Sequence, residues 1–144
     1  MSSKMAMSFF SDSTTKRIYM KNISNLSPLA LAFMGDAIHT AYVRQKVLEG
    51  EKSNQNNYHN SAKSFCNAKT QRETLEKLEK DLTEEEKDVV RRARNAHSKH
   101  TAKNFDEETY KKATAFESLV GYLYLTDQKE RLSYILKRSM EEIS

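Results

Sequence analysis

The sequence has no tryptophan, one cysteine, one proline and three glycines. Globular chains average about 7% Gly and 5% Pro, so four such residues in 144 leave too few turn formers for an all-β sandwich, a barrel or a glycine-rich phosphate loop. The single cysteine, Cys66, cannot form an internal disulfide. That favours a reduced intracellular setting, and its place in an ordinary helical run suits a small buried hydrophobe better than a nucleophile. Long apolar runs are missing as well. Nothing approaches the ~20 residues of a membrane span, and Met5 to Phe10, interrupted by Ser8, is shorter than the ~7–15-residue core of a signal peptide. An all-α domain in the cytoplasm, without a membrane partner, is what these absences leave.

Neither sign of charge dominates: 24 Lys+Arg stand against 20 Asp+Glu, a net +4 that permits a nucleic-acid partner without demanding one. Residues 1–25 mix Ser, Thr, Lys and Met without a sustained period, which predicts a poorly ordered tail with one short helix around Thr15 to Asn22. Residues 26–144 form one domain. Ser27 is an N-cap with Pro28 at the first helical position, and an apolar run follows to Leu48, closed by Gly50. Leu29, Phe33, Ala37 and Ala41 make one line at four-residue spacing and Leu31, Met34, Ile38 and Tyr42 another, which predicts a central helix surrounded by others. From Asn54 to about Leu82 two further segments are expected, weakened in the middle by Ser61, Ser64, Asn67 and Thr70, with Phe65, Leu75 and Leu78 inward. Residues 72–88 carry eight Asp/Glu against four Lys/Arg, read as a solvated surface.

Thr83 with Glu86 is a capping box for a helix to about Asn95, and residues 98–105 read as a loop. Asp106 caps a second strongly apolar helix, Glu107 to about Leu125, in which Tyr110, Ala113, Phe116, Val120 and Leu123 recur at threes and fours. Asp127 starts the last helix, offering Leu132, Ile135, Leu136, Met140 and Ile143 to the core. The sum is a compact bundle of six to seven helices.

Two acids stand out. Asp36 is the only charged residue between Lys21 and Arg44, in the middle of the most apolar helix, and Glu117 repeats the pattern in the second. A carboxylate among core side chains costs several kcal/mol unless paired or metal-bound. Arg44 is a poor partner within the helix, since eight residues at 1.5 Å place it about 12 Å from Asp36. Gly35 precedes Asp36 and Gly121 follows Glu117 by one turn; glycine inside a helix costs about 1 kcal/mol and is tolerated where another backbone comes close. Two helices crossing at these glycines would bring the carboxylates together, and a hard divalent cation, Mg²⁺ first, would relieve their repulsion. From spacing alone that site and an internal ion-pair network stand level.

At these residues the chain resembles a known family. LALAFMGDAIHTAYVR at 29–44, RRARNAHSKHTAKN at 91–104 and TYKKATAFESLVGYLYL at 109–125 are similar, in order and spacing, to mini-ribonuclease III, the compact bacterial and plastid relatives of ribonuclease III. The similarity runs from about residue 20 to 140. It implies an all-α homodimer that hydrolyses double-stranded RNA with Mg²⁺, or Mn²⁺ in its place, during maturation of the large-subunit (23S) ribosomal RNA precursor. Asp36 matches the signature Gly-Asp aspartate and Glu117 the glutamate of the second acidic motif, as catalytic and metal-holding residues; Phe33 matches the aromatic beside the subunit contact. Larger members carry two more carboxylates where this chain has Ala32 and Thr114; the mini branch generally lacks them too, which points to one firmly held cation per subunit. His39 and Thr40, one turn beyond Asp36, either orient a water there or, for His39, belong to the core or an interface.

The chain stops about twenty residues after the second acidic motif, so no separate double-stranded-RNA-binding domain is expected. Between Val89 and Phe105 lie Arg91, Arg92, Arg94, Lys99 and Lys103, two histidines and no acid. A single charged face is commonly just solvated, but this one runs into a loop rich in Asn, Ser, Thr and Lys that suits phosphates and 2′-hydroxyls of A-form RNA, read by shape. Two other readings remain: a catalytically silent double-stranded-RNA-binding module of the same fold, and an all-α interaction protein whose acids form a buried ion pair.

Overall fold

The computed structural model describes residues 23–50, 57–96 and 106–141. The predicted tail and short helix before residue 23, the 98–105 loop with Lys99 and Lys103, and Ile143 lie outside them. Among the described residues there are six α-helices and no strand: α1 Pro28–Glu49, α2 Tyr58–Lys63, α3 Ala68–Leu78, α4 Glu84–Arg94, α5 Glu107–Leu125 and α6 Lys129–Arg138, with 3₁₀ turns at Ile23–Asn25 and Glu79–Asp81.

Their starts are set by side chains that satisfy otherwise unpaired first-turn N–H groups. Ser27 accepts from the Ala30 N–H ahead of Pro28, Asn67 from Thr70, and Asp106 from Thr109. Thr83 and Glu86 bond reciprocally in the expected capping box. The predicted break between the two middle segments falls at residues 64–67, where Asn67 also ties its side chain back to the Lys63 carbonyl at 2.7 Å. Asp127, expected to open α6, instead closes α5. Its φ is 58°, its N–H bonds the Tyr124 carbonyl, and the Gln128 N–H bonds that of Leu123. This is a Schellman ending, with Asp127 in the left-handed position that Asp adopts more easily than most residues.

The central helix is α5, which packs on α1, α3, α4 and α6. Phe116, Leu119, Val120 and Leu123 are fully buried in it, enclosed by Leu75 and Leu78 of α3, Val90 and Ala93 of α4, and Leu132, Ile135 and Leu136 of α6. A second apolar cluster joins Val43 and Val47 of α1 to Ala62 of α2, with Phe65, Cys66 and Met140 against it. The prediction that α1 is surrounded is corrected here. Its buried seam is Leu31, Gly35, His39, Val43 and Val47 at strict four-residue spacing. The line Leu29, Phe33, Ala37 and Ala41 faces outward, with Phe33 83% exposed and Leu48 64%. Apolar residues on all sides of α1 thus report two separate surfaces: one against α5, one that no described residue of this chain covers.

Among the described residues, one acidic side chain is held wholly inside. Glu86 is 2% exposed, yet its oxygens receive the Thr83 N–H and, at 2.8 and 2.9 Å, the Nε and Nη2 of Arg131. These three donors, two of them from a guanidinium, offset the cost of its burial.

Candidate active site

Helices α1 and α5 touch backbone to backbone. A Cβ added at Gly35 would lie 1.7 Å from the Glu117 carbonyl oxygen and 2.9 Å from the Gly121 nitrogen, and one at Gly121 would lie 1.9 Å from the Leu31 carbonyl oxygen. No side chain fits at either place, which is why two helix interiors accept glycine. The contact sets Asp36, next to Gly35, beside Glu117, one turn before Gly121, as their spacing predicts.

The carboxyl groups come within hydrogen-bonding reach of each other, and Glu117 shows the strain of it. Burial above all, then the hydrogen bond with Asp36 and the charge of Asp36, push its pKa up from 4.5 to about 9. A donor partly offsets this: Gln71 of α3 offers its carboxamide N–H to Glu117 Oε2 at 3.5 Å. The expectation that both acids lie in the core is only half met. Glu117 is half-buried, whereas Asp36 is exposed, at the solvent edge of the α1–α5 contact. Its neighbour is Glu117 rather than the surface residue Arg44.

No group of three or more His, Cys, Asp or Glu side chains able to hold a metal occurs among the described residues. Ala32 and Thr114 are both buried. His39 is a core residue: 1% exposed, edge-on to the Phe116 ring with centroids 5.0 Å apart, and bonded to Ser139 and Gln71. Burial lowers its pKa to about 4, the nearby Asp36 charge only partly opposing this. Thr40 hydrogen-bonds the half-buried Cys66, whose thiol burial pushes up in pKa.

Of the basic residues, Arg91, Arg92 and Arg94 occupy the last turn of α4. Arg91 pairs with Asp88, Arg94 with Glu108 at 2.9 Å, and Arg92 is exposed. Such surface pairs are worth about 0–1 kcal/mol, so a phosphate can displace the carboxylate. Phe33 stands outward one turn before the acid site. Gln71 was missed in the sequence because TQRE reads as surface, although it precedes Leu75 by four and Leu78 by seven residues and so shares their inward seam.

An all-α bundle whose central helix meets its neighbour through two glycines and an acid pair defines a ribonuclease III-type domain, and residues 29–128 match the family model described as Ribonuclease III domain. The Mini-ribonuclease 3 of Thermoanaerobacter sp. (strain X514) is 40% identical over 129 residues, covering 90% of this chain and 91% of that protein. The Mini-ribonuclease 3 of Staphylococcus aureus (strain NCTC 8325 / PS 47) is 43% identical over 119 residues, 81% of this chain and 89% of its own. A crystal structure of protein FN1578 from Fusobacterium nucleatum matches with a TM-score of 0.72 at 33% identity, covering 81% of this chain and 93% of that one. The chain belongs to the mini-ribonuclease III family and is a ribonuclease III-type endoribonuclease. No helix among the described residues is long and apolar enough to cross a membrane.

Proposed function

We propose that the protein cleaves double-stranded RNA with a divalent cation, Mg²⁺ or Mn²⁺ in its place, held by Asp36 and Glu117. The observation that carries this is the acid pair at the α1–α5 crossing, with Glu117 pushed up to about 9. Two carboxyl groups in mutual contact, one of them half-buried, are costly in the absence of a counter-charge. Their oxygens are the donor set of a hard cation that keeps several waters, and the exposure of Asp36 leaves those waters and a phosphate room to approach. When bound, the cation supplies a nucleophile at neutral pH and stabilises charge on the scissile phosphate.

The chain's own residues set the rest. The glycine contact fixes the carboxylates by backbone position. Arg91, Arg92 and Arg94, with Lys99 and Lys103 beyond them in sequence, grip phosphates by charge, so a duplex is recognised by shape. The outward face of α1 around Phe33 joins two copies, and two-fold symmetry then presents one acid pair to each strand. Resemblance to the family supports precursor ribosomal RNA, in maturation of the 23S species, as the substrate.

The test is incubation with long duplex RNA and Mg²⁺ at modest salt. Cleavage lost in Asp36→Asn and Glu117→Gln, with melting unchanged, is expected; tight binding without cleavage by the wild-type protein would mark a silent RNA-binding module instead. Trimming of a 23S precursor stem to discrete ends tests the substrate, and indiscriminate cutting would refute it. Replacing Arg92 should lower the salt slope of RNA binding by about one unit.

A further inference from the structure

A chain of hydrogen bonds runs from the core to the acid pair, and its direction is determined at one end. The Ser139 hydroxyl donates to the Leu136 carbonyl at 2.6 Å. With its proton so used, Ser139 Oγ can only accept from His39 Nε2, 3.1 Å away. The His39 proton is then on Nε2 and the lone pair on Nδ1, since burial keeps the ring neutral. Nδ1 must accept in turn, and the group facing it at 3.2 Å is the Gln71 carboxamide nitrogen. That nitrogen's second proton is directed at Glu117 Oε2. His39, Ser139 and Gln71 are all buried, so water does not compete for these bonds.

The reverse amide orientation is unfavourable at both ends. It would set Gln71 Oε1 against the Nδ1 lone pair, an acceptor–acceptor contact in a buried place, and would take from the Glu117 carboxylate the donor it needs to hold a cation. Only the donor orientation satisfies both neighbours.

We propose that Gln71 is a positioning residue for Glu117: oriented through His39 by Ser139 and the Leu136 carbonyl, it holds the Glu117 carboxylate turned toward Asp36, ready for a divalent cation. This rests on the reading of Asp36 and Glu117 as a cation site. Gln71, itself buried, offers the Glu117 carboxylate a donor N–H from behind, on α3. Partners of this kind behind metal-holding side chains typically contribute about 10–100-fold in cation affinity.

The experiment is Mn²⁺ binding to the metal-free full chain, read by loss of the free-ion electron paramagnetic resonance signal. Wild type, Gln71→Leu and Gln71→Met are compared, with Asp36→Asn and Glu117→Gln alongside and the melting temperature of each recorded. Affinity about 10–100-fold weaker in both Gln71 variants is expected. Wild-type affinity in those variants, whether or not their melting temperature falls, would overturn the positioning role while leaving the acid pair standing. Undiminished binding in Asp36→Asn and Glu117→Gln would overturn the acid-pair reading beneath it. A second measurement needs no variant: ¹⁵N NMR of the His39 ring in the wild-type protein should show the proton on Nε2, and a proton on Nδ1 would overturn the bond direction on which the proposal depends.

Discussion

Replacing Gly35 by alanine should invert the usual rule for a helix interior. Elsewhere the exchange gains about 1 kcal/mol, because alanine is the better helix former. Here the new Cβ would lie 1.7 Å from the Glu117 carbonyl oxygen, 2.6 Å from its carbon and 2.9 Å from the Gly121 nitrogen. Carbon contacts settle near ~3.5 Å, so α1 and α5 would have to part by roughly 1.5–2 Å at the crossing. All three atoms are backbone, and no side-chain rotation absorbs the clash. Overpacking of a tight core costs typically ~1–3 kcal/mol and here opposes the propensity gain, for a net loss of up to about 2 kcal/mol and several degrees in Tm. The carbonyl that is struck belongs to Glu117, so the displacement acts on the acid pair directly. A shift of ~1 Å in a reacting group can cost about 10²-fold in rate. Calorimetric melting and single-turnover cleavage of a labelled RNA duplex read the two effects, and Gly121→Ala, which meets the Leu31 carbonyl oxygen at 1.9 Å, should reproduce them. A Gly35→Ala protein that melts no lower than wild type and cleaves within about threefold of it would refute the backbone contact as the device that joins the acids.

Three further outcomes follow from the same structure. The folded-state pKa of Glu117 is raised, from 4.5 to about 9, so the metal-free folded protein binds a proton that the unfolded chain releases. Its stability should be greatest below about pH 4.5 for this group and be lost as pH rises toward 9, by on the order of a few kcal/mol after solvent screening. Melting curves should show the fall, shallower in Glu117→Gln; a slope equal in the two proteins would contradict the assignment. Arg131→Met strips Glu86 of its guanidinium partner and should cost roughly 2–4 kcal/mol in urea unfolding, with much of the loss recovered when Glu86 is made leucine as well; a loss under about 0.5 kcal/mol would show the pair to be dispensable. Phe33→Asp should leave the fold of one chain intact, the side chain being outside its core, and convert the proposed dimer to monomer in sedimentation velocity; an undissociated dimer would exclude this face.

The helix starts were legible because capping is local chemistry. Ser27, Thr83 and Asp106 each accept the bond their positions foretell, three residues on. Asp127 misled for a related reason: Asp is favoured both as a cap and in the left-handed conformation, and only the packing of α6 on α5 decides between them. The glycine crossing could be inferred from two costly residues in two apolar helices. Which side of α1 met α5 could not, because its true seam passes through Gly35 and His39 while larger apolar residues occupy the uncovered side. The pattern therefore predicts Asp36 in the core, whereas it lies on the surface. Gln71 escaped notice because its bonds are to His39 and Glu117, residues distant in sequence, whereas polar character in a single helix reads as exposure.

Asp36 and Glu117 are about eighty residues apart in the chain, on helices with no local link between them. At synthesis rates of ~5–20 residues per second, α1 emerges several seconds before the helix that completes its acid pair. Throughout that interval Leu31 and Gly35 of α1 lack the α5 backbone they pack on, and the nascent chain holds only one of its two acids. The acid pair is thus complete only once α5 has been made, and any chemistry that depends on both carboxyl groups waits on the order of translation.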